Sequence, residues 1–310
     1  MNLSIGIDIG GTKVLCGLID ARDGKVLNTV KKKTHSSNDL CKITCDLINE
    51  LLELSNLNCS QIYKIGIGAA GQIDRKNGII LSSPNIDCSN LNLRKVIEEK
   101  YNIPVFIGND VETATLGEMA YGAGKNYNNF MCVFVGTGVG GSLVINRQLI
   151  KGASGTAGEI GHIKVSLNGK KCGCGKYGCL EAYASRTAIE NNIRNSLESG
   201  KKSCISDYIQ GNKKITSNVI KKCVEKHDEV VLDSLEQASG YLSLGLASVV
   251  NLVNPQCIIL GGGLINAVDE FFDMTVNKTK CEAMDIAIKK TEFKKAMLGD
   301  CSGIIGASLL

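Results

Sequence analysis

At 310 residues, with 44% hydrophobic residues, 21% charged residues and a net charge of +4, the chain is long enough for two domains of ordinary size and has an ordinary globular composition. That balance excludes disordered and fibrous classes, and the small positive charge forms no basic stripe with interleaved aromatics of the kind that grips nucleic acid. No apolar run approaches the roughly 20 residues a membrane-spanning helix needs, and no basic and apolar leader precedes SIGIDIGGT. The chain has 14 cysteines, and those outside the metal-type cluster described below (Cys16, Cys45, Cys132 and Cys257 among them) fall in apolar segments. They read as small buried hydrophobes of a protein kept in the reducing cytoplasm.

The first element, LSIGIDIGGTKVLCGLID, predicts a strand, a tight Gly/Thr turn and an antiparallel partner strand. A dinucleotide fingerprint would start a helix at these glycines; here Val14, Leu15, Leu18 and Ile19 continue an apolar run into the turn ARDGK, which favours a hairpin. The Lys31-Lys32-Lys33 run reads as a solvated strand end. Leu40, Ile43, Leu47, Ile48, Leu51 and Leu52 recur at helical spacing over 40–54. Strands are expected at 63–69 and 78–82, a helix at about 91–101, then the strand VFIGND and a helix from near Val111. FMCVFVGTGVGGSLVINRQLI then repeats the hairpin pattern. Helices at about 185–199, 216–226 and 229–253, the last stopped by Asn254-Pro255, lead to a strand at 257–263. The terminal GIIGASLL predicts a short helix that packs back on the first half. Strands alternating with helices indicate α/β architecture, and the two matched hairpins indicate an internal duplication. Hinges near 120 and 295 would separate a domain of residues 1–120 plus 296–310 from one of 121–295.

Five constellations carry chemistry. Asp8-Ile9-Gly10-Gly11-Thr12-Lys13 offers backbone N–H groups and a hydroxyl to phosphate oxygens, and Asp8 implies a cation such as Mg²⁺. Gly136-Thr137-Gly138-Val139-Gly140-Gly141 has the same character, so the pair predicts a nucleotide gripped by two turns. Asn109-Asp110, at a strand end and helix start, is either a helix N-cap or a general base for a substrate hydroxyl. Glu159, His162 and Glu181 can bind several hydroxyls of a sugar. Gly261, Gly262 and Gly263, after a strand, allow a close approach to an adenosine or a packed turn.

Between Glu159 and Glu181 the sequence also sets His162, Cys172, Cys174 and Cys179 at H-x9-C-x-C-x4-C. Three thiolates and an imidazole are the ligand set of a closed structural zinc site, with no position left for a reactive water. The alternative is three buried cysteines beside an unrelated histidine. As zinc, the site fixes the loop that carries Glu159, His162 and Glu181.

DIGGTK, GIGAAGQID, Asn109-Asp110, GTGVGG, AGEIGH, CGCGKYGCLEAYAS and NPQCIILGGG, in this order, resemble the ROK family of sugar kinases and related repressors, from residue 4 to the C-terminus. The resemblance implies the duplicated ribonuclease-H-like (actin-like ATPase) fold, two α/β domains around a cleft that closes on ATP and a hexose. It further implies Asp8 to Lys13 and Gly136 to Gly141 as the two phosphate loops and Gly261 to Gly263 near the nucleotide. Asp110 would be the base, and Asn109, Glu159, His162 and Glu181, with Gly71 and Asn85, would line the sugar. A structural Zn²⁺ on His162, Cys172, Cys174 and Cys179, Mg²⁺ with ATP, and a homodimer or homotetramer follow from it as well. Ala69-Ala70-Gly71 replaces the family's GxPG, and Asn85-Ile86-Asp87-Cys88 its N-L-G-W element. In the family both stretches lie near the sugar, which leaves Ser83, Asn85 and Asp87 open as contacts and the sugar open as well; glucose stands first, beside N-acetylmannosamine, N-acetylglucosamine, fructose and allose. A sugar-responsive repressor is the reading from another class; seven residues before Asp8 leave no room for a helix-turn-helix. A non-catalytic sugar binder is the third.

Overall fold

The computed structural model describes residues 2–34, 40–83, 88–209 and 214–310 and divides into two compact units, Met1–Asn126 with Met297–Leu310, and Tyr127–Ala296. In the first, β1 (Leu3–Ile9), β2 (Lys13–Asp20) and β3 (Lys25–Lys33) form an antiparallel meander. Helix α1 (Leu40–Leu54) then leads to β4 (Ile62–Ala69), which returns parallel to β1. β5 (Gln72–Asp74), β6 (Ile79–Ser82) and β7 (Ser89–Leu91) make a separate small sheet. α2 (Leu93–Tyr101), β8 (Val105–Asn109) and α3 (Asp110–Tyr121) complete this half.

The second unit repeats the plan. β9 (Phe130–Val135), β10 (Val139–Ile145) and β11 (Gln148–Leu149) form its meander. A helical run follows: α4 (Glu181–Ala184), α5 (Arg186–Glu198), α6 (Ser217–Val224) and α7 (Glu229–Val253). β12 (Cys257–Gly261) is parallel to β9, and α8 (Gly263–Ala267), α9 (Asp269–Glu282) and α10 (Asp285–Ile288) precede β13 (Glu292–Lys295). The chain re-enters the first unit and ends in α11 (Ser302–Ala307). The sheet orders are β3-β2-β1-β4-β8 and β11-β10-β9-β12-β13. Strand for strand, with the same directions, these are one topology used twice.

The local reasons are visible. Asp228 caps α7 by accepting from Val231 N–H, and Asn254 ends it in the left-handed conformation at φ 48° ahead of Pro255. That matches the expected 229–253. α2 starts later than expected because Asn92 caps it and residues 89–91 are used as β7. The lysine run lies at the end of β3, where Lys32 is 3.6 Å from Asp46 and 3.7 Å from Glu50 of α1. Each unit has its own core. Ile5, Ile7, Ile65, Ile67 and α1's Leu47, Ile48 and Leu51 are fully buried in one, and Val133, Leu235, Leu242, Leu246, Ile258 and Phe271 in the other. Burying such side chains contributes about 1.5–3 kcal/mol apiece, which sets the rigidity of the strand ends.

Two features position the functional strand ends in the first unit. α11 lies on β1 and β4 and against α3. A Cβ at Gly6 or Gly66 would fall on its carbonyls at Ile304 and Ala307, so the strands and the helix meet backbone to backbone. The second feature is Glu118, fully buried on α3. Its Oε2 accepts the N–H groups of Ala123 (2.8 Å) and Met297 (3.1 Å), and its Oε1 accepts that of Leu298 (2.9 Å). One carboxylate thus ties the stretch where the chain leaves this unit to the stretch where it returns.

Candidate functional site

The first turn, Gly10-Gly11-Thr12, joins β1 to β2. Gly10 N–H donates to Lys13 O (3.0 Å), and Thr34, just past β3, donates its hydroxyl to Gly10 O (3.0 Å) and its N–H to Thr12 O (3.1 Å). The turn's carbonyls are therefore drawn towards the sheet edge. Lys13 Nζ lies 2.7 Å from Asp300 in an exposed pair worth little.

Asp8 is the penultimate residue of β1, registered beside Gly68 of β4. Its carboxyl packs on Gly303 of α11. Burial, then the nearby charge of Asp110, raise its pKa to about 7; Lys13 acts the other way. Burial raises Asp110 too, partly offset by the backbone N–H groups of Val111 and of Asp110 itself and by the Asn109 side chain. Two part-buried acids in one unit, the pKa of Asp8 raised by burial and by the charge of Asp110, are an oxygen donor set suited to a hard divalent cation.

The cap of α3 is Asn109, not Asp110: Asn109 Oδ1 accepts from Val111 N (3.0 Å) and Glu112 N (3.2 Å). Asp110 is the first helical residue; the capping bonds go to Asn109, and the Asp110 carboxylate lies beside the first N–H groups of the helix. Asn109 Nδ2 reaches Gly71 O at 3.3 Å, which holds the turn after β4 at the start of α3; Gly71 has φ 114°, where a side chain would strike Ser82. Asn109, Asp110 and Gly71 thus come together, with the Ser83 hydroxyl buried and unpartnered among the described residues. Asn85 lies outside the described residues.

The second turn is Gly136-Thr137-Gly138, between β9 and β10. Gly136 N–H donates to Gly138 O (2.9 Å), Arg186 N–H to Gly136 O (2.9 Å) and the Thr187 hydroxyl to Thr137 O (2.8 Å). Gly140 and Gly141 are already inside β10 rather than in the turn, and Gly141 packs against the carbonyl of Gly158. That contact and the one between Gly161 and Val139 O lay the AGEIGH segment on β10. Glu159 and His162 flank a single helical turn there, both exposed.

Glu181 opens α4. Its Oε2 accepts Val139 N–H (3.1 Å) and packs on Gly138, while Cys172 Sγ lies 3.4 Å from its Oε1. It therefore links the second turn to the cysteine cluster, a role its sequence position does not reveal. The ligand atoms of His162, Cys172, Cys174 and Cys179 all lie within 4.8 Å of one another. Cys174 and Cys179 sulfurs are 3.8 Å apart, as are Cys172 Sγ and His162 Nδ1. A tetrahedral ion with bonds of about 2.3 Å to sulfur has sulfur–sulfur edges of about 3.8 Å, so the four residues fit a metal ion. Lys164 Nζ, 3.0 Å from Cys179 Sγ, adds a compensating positive charge.

Gly261 ends β12 against the Phe134 ring, and Gly262, at φ 96°, passes over Val135 O. Only Gly263, which opens α8 and has just the Ser217 hydroxyl within reach, keeps space beside it. Sequence reasoning missed Thr34, Arg186 and Thr187. The signal available for the last two was their place right after the conspicuous GCLEAYAS stretch.

The sequence profile of the ROK family matches residues 4–310. A glucokinase of Halalkalibacterium halodurans is 31% identical over 310 residues, 99% of this chain and 94% of that protein. A xylose repressor of Bacillus subtilis is 32% identical over 280 residues, 90% of this chain and 68% of the repressor. Among solved structures, a ROK glucokinase of Streptomyces griseus in complex with glucose and AMPPNP superposes with a TM-score of 0.88 at 30% identity, covering 99% of this chain and 98% of that one. The fold is the actin-like ATPase fold of these structures. Among the described residues no helix is long and apolar enough to cross a membrane.

Proposed function

Because the chain belongs to the ROK family, we propose that it is an ATP-dependent sugar kinase that transfers the γ-phosphate of ATP to the 6-hydroxyl of a hexose, glucose first. The observation that carries this reading is the division of labour at the start of α3: Asn109 does the capping, and Asp110 keeps a part-buried carboxylate with a raised pKa. A glycine turn with tethered carbonyls stands at the end of a strand in each unit.

In this reading Asp110 accepts the proton of the attacking hydroxyl, a contribution of about 10²–10⁴ in rate. Asn109 and Gly71 orient the hydroxyls on the same side, with Glu159, His162 and Glu181 as the sugar contacts of the second unit. The N–H groups at the tips of the two turns, Gly11 and Thr12 in Gly10 to Lys13 and Thr137 and Gly138 after Gly136, bind phosphate oxygens, while those of Gly10 and Gly136 close the turns themselves, and Gly263 leaves room for the nucleoside. Phosphoryl transfer depends mostly on such positioning and charge stabilisation. Mg²⁺ bound with ATP would neutralise phosphate charge, and Asp8 would hold it through water. Zn²⁺ on His162, Cys172, Cys174 and Cys179 would supply loop rigidity and no chemistry. Among the described residues none of the 14 cysteines forms a disulfide, which suits the cytoplasm as the place of action.

The xylose repressor relative favours one second reading, a sugar-binding protein without turnover. ADP release in a coupled assay across glucose, N-acetylmannosamine, N-acetylglucosamine, fructose and allose separates the two. Turnover on at least one, glucose foremost, is expected; saturable sugar binding with no turnover on any would replace the kinase by the binder.

A further inference from the structure

The second turn is held by a residue to which neither its motif nor the chemistry above gives a role. We propose that Arg186 is the positioning residue of this turn, acting on the nucleotide phosphates through Thr137; the inference rests on the kinase reading. Arg186 opens α5 and touches the turn twice. Its backbone N–H bonds Gly136 O at 2.9 Å, and its Nη2 donates to Thr137 Oγ1 at 3.3 Å. The guanidinium is itself fixed on its other side: Nη1 donates to Ile215 O at 3.0 Å and lies 3.7 Å from Glu190 Oε2. Glu190 in turn accepts Ile215 N–H (3.1 Å) and pairs with Arg194 at 2.8 Å. The Arg186 side chain is only 16% exposed, so this is a part-buried planar fork held at several points and not a mobile surface charge.

The consequence follows from hydroxyl chemistry. A threonine hydroxyl has one proton to give and two lone pairs. Arg186 has no lone pair to offer and never loses its proton, so Thr137 Oγ1 can only accept from it. The Thr137 proton is left for another acceptor, and none for it is found among the described residues. The turn's carbonyls are occupied as well, Gly136 O by Arg186, Thr137 O by Thr187 and Gly138 O by Gly136. What remains is a turn whose free polar groups are donors, with a fixed positive charge behind them. A phosphate oxygen meets that requirement; a sugar hydroxyl does not need it.

The test is calorimetric binding of the non-hydrolysable analogue AMPPNP with Mg²⁺, alongside kcat and both KM values. Arg186→Met should weaken AMPPNP and raise the KM for ATP by about tenfold or more, with the sugar KM within about twofold. Arg186→Lys, which keeps charge but loses the fork, should fall between. Thr137→Ala lies on an exposed turn and does not threaten folding. In that background Arg186→Met should cost little more, because the two act as one unit. Unchanged AMPPNP affinity in Arg186→Met overturns the proposal, as do additive losses in the double variant or an equal rise in both KM values. A wild type that binds AMPPNP while these variants behave that way leaves the kinase reading standing. A wild type that binds no AMPPNP and turns over no sugar removes that reading, and the role of Arg186 with it.

Discussion

At the penultimate residue of its first strand, one unit carries Asp8 and the other Phe134. Each is registered against a glycine of the neighbouring parallel strand, Gly68 and Gly261. The sheets have the same order and directions, so the two residues occupy one position of a repeated plan. In the first unit that position is a carboxylate that burial and the nearby charge of Asp110 keep from ionising readily, and the pKa of Asp110 itself is raised by burial and by Glu112. In the second it is an aromatic ring packed on Gly261. The turns after these strands differ in the same sense. Neutral Thr34 tethers the first, whereas the second is held by Arg186 and Thr187 and by Glu181. Duplication kept the backbone device and split its side chains: two part-buried acids in one copy, donors and a metal-type cluster in the other.

The sharpest way to break that comparison is Asp110→Asn. It should lower kcat by about 10²–10⁴ and leave sugar and AMPPNP affinity nearly unchanged, as steady-state kinetics and calorimetry will read. As the proposed base, Asp110 must be ionised to work, so its raised pKa should make wild-type kcat fall on acidification at a higher pH than an ordinary aspartate would set.

In the other unit, Cys174→Ser should release the metal and unfold the loop that carries Glu159, His162 and Glu181. Structural zinc contributes about 10–16 kcal/mol in finger peptides, and less is at stake in a unit with its own core. Metal analysis of purified wild type should find one zinc per chain, and the variant should melt earlier with little or none.

Glu118→Ala should destabilise the first unit by about 3 kcal/mol, since three N–H groups lose their acceptor in a buried setting. Denaturant unfolding measures it; a loss under about 1 kcal/mol would mean that water replaces the carboxylate.

The smallest effect has the opposite sign. Asp8 has its folded pKa raised to about 7 from 3.8, so the folded state holds the proton longer than the unfolded chain. Its contribution is therefore full below about pH 4 and is lost as pH rises through about 7. Without metal, Asp8→Asn should stabilise the protein at pH 8 by at least about 1 kcal/mol, the worth of one pKa unit out of a rise of roughly three once solvent screening of this part-exposed group is discounted, while activity drops. Equal melting temperatures of the two proteins at pH 8 would show that Asp8 is not strained there.

The elements that could be read from sequence were those with two agreeing signals. β1 and β2, like β9 and β10, combine apolar runs with a Gly/Thr turn, and α7 combines apolar periodicity with Asp228 and Asn254 at its ends. α9 and β13 escaped notice because DEFFDMTVNKTKCE and EFKK alternate too weakly to announce a face. The β5-β6-β7 sheet escaped because its strands are three or four residues long. At the site, residue types were legible and partners were not. Asn109 and Asp110 are equally good caps on paper, and only backbone geometry decides which one caps. Arg186, Thr187 and Glu118 act on residues 49, 50 and about 180 positions away, a separation that no local pattern encodes.

The most direct measurement is ³¹P NMR of the products formed from MgATP and glucose by the wild type and by Asp110→Asn at equal concentration. The account predicts ADP and glucose 6-phosphate in equal amounts from the wild type and at least about a hundredfold slower from the variant. Sugar phosphate formed at the same rate by both proteins, or by neither with any hexose of the panel, would contradict it.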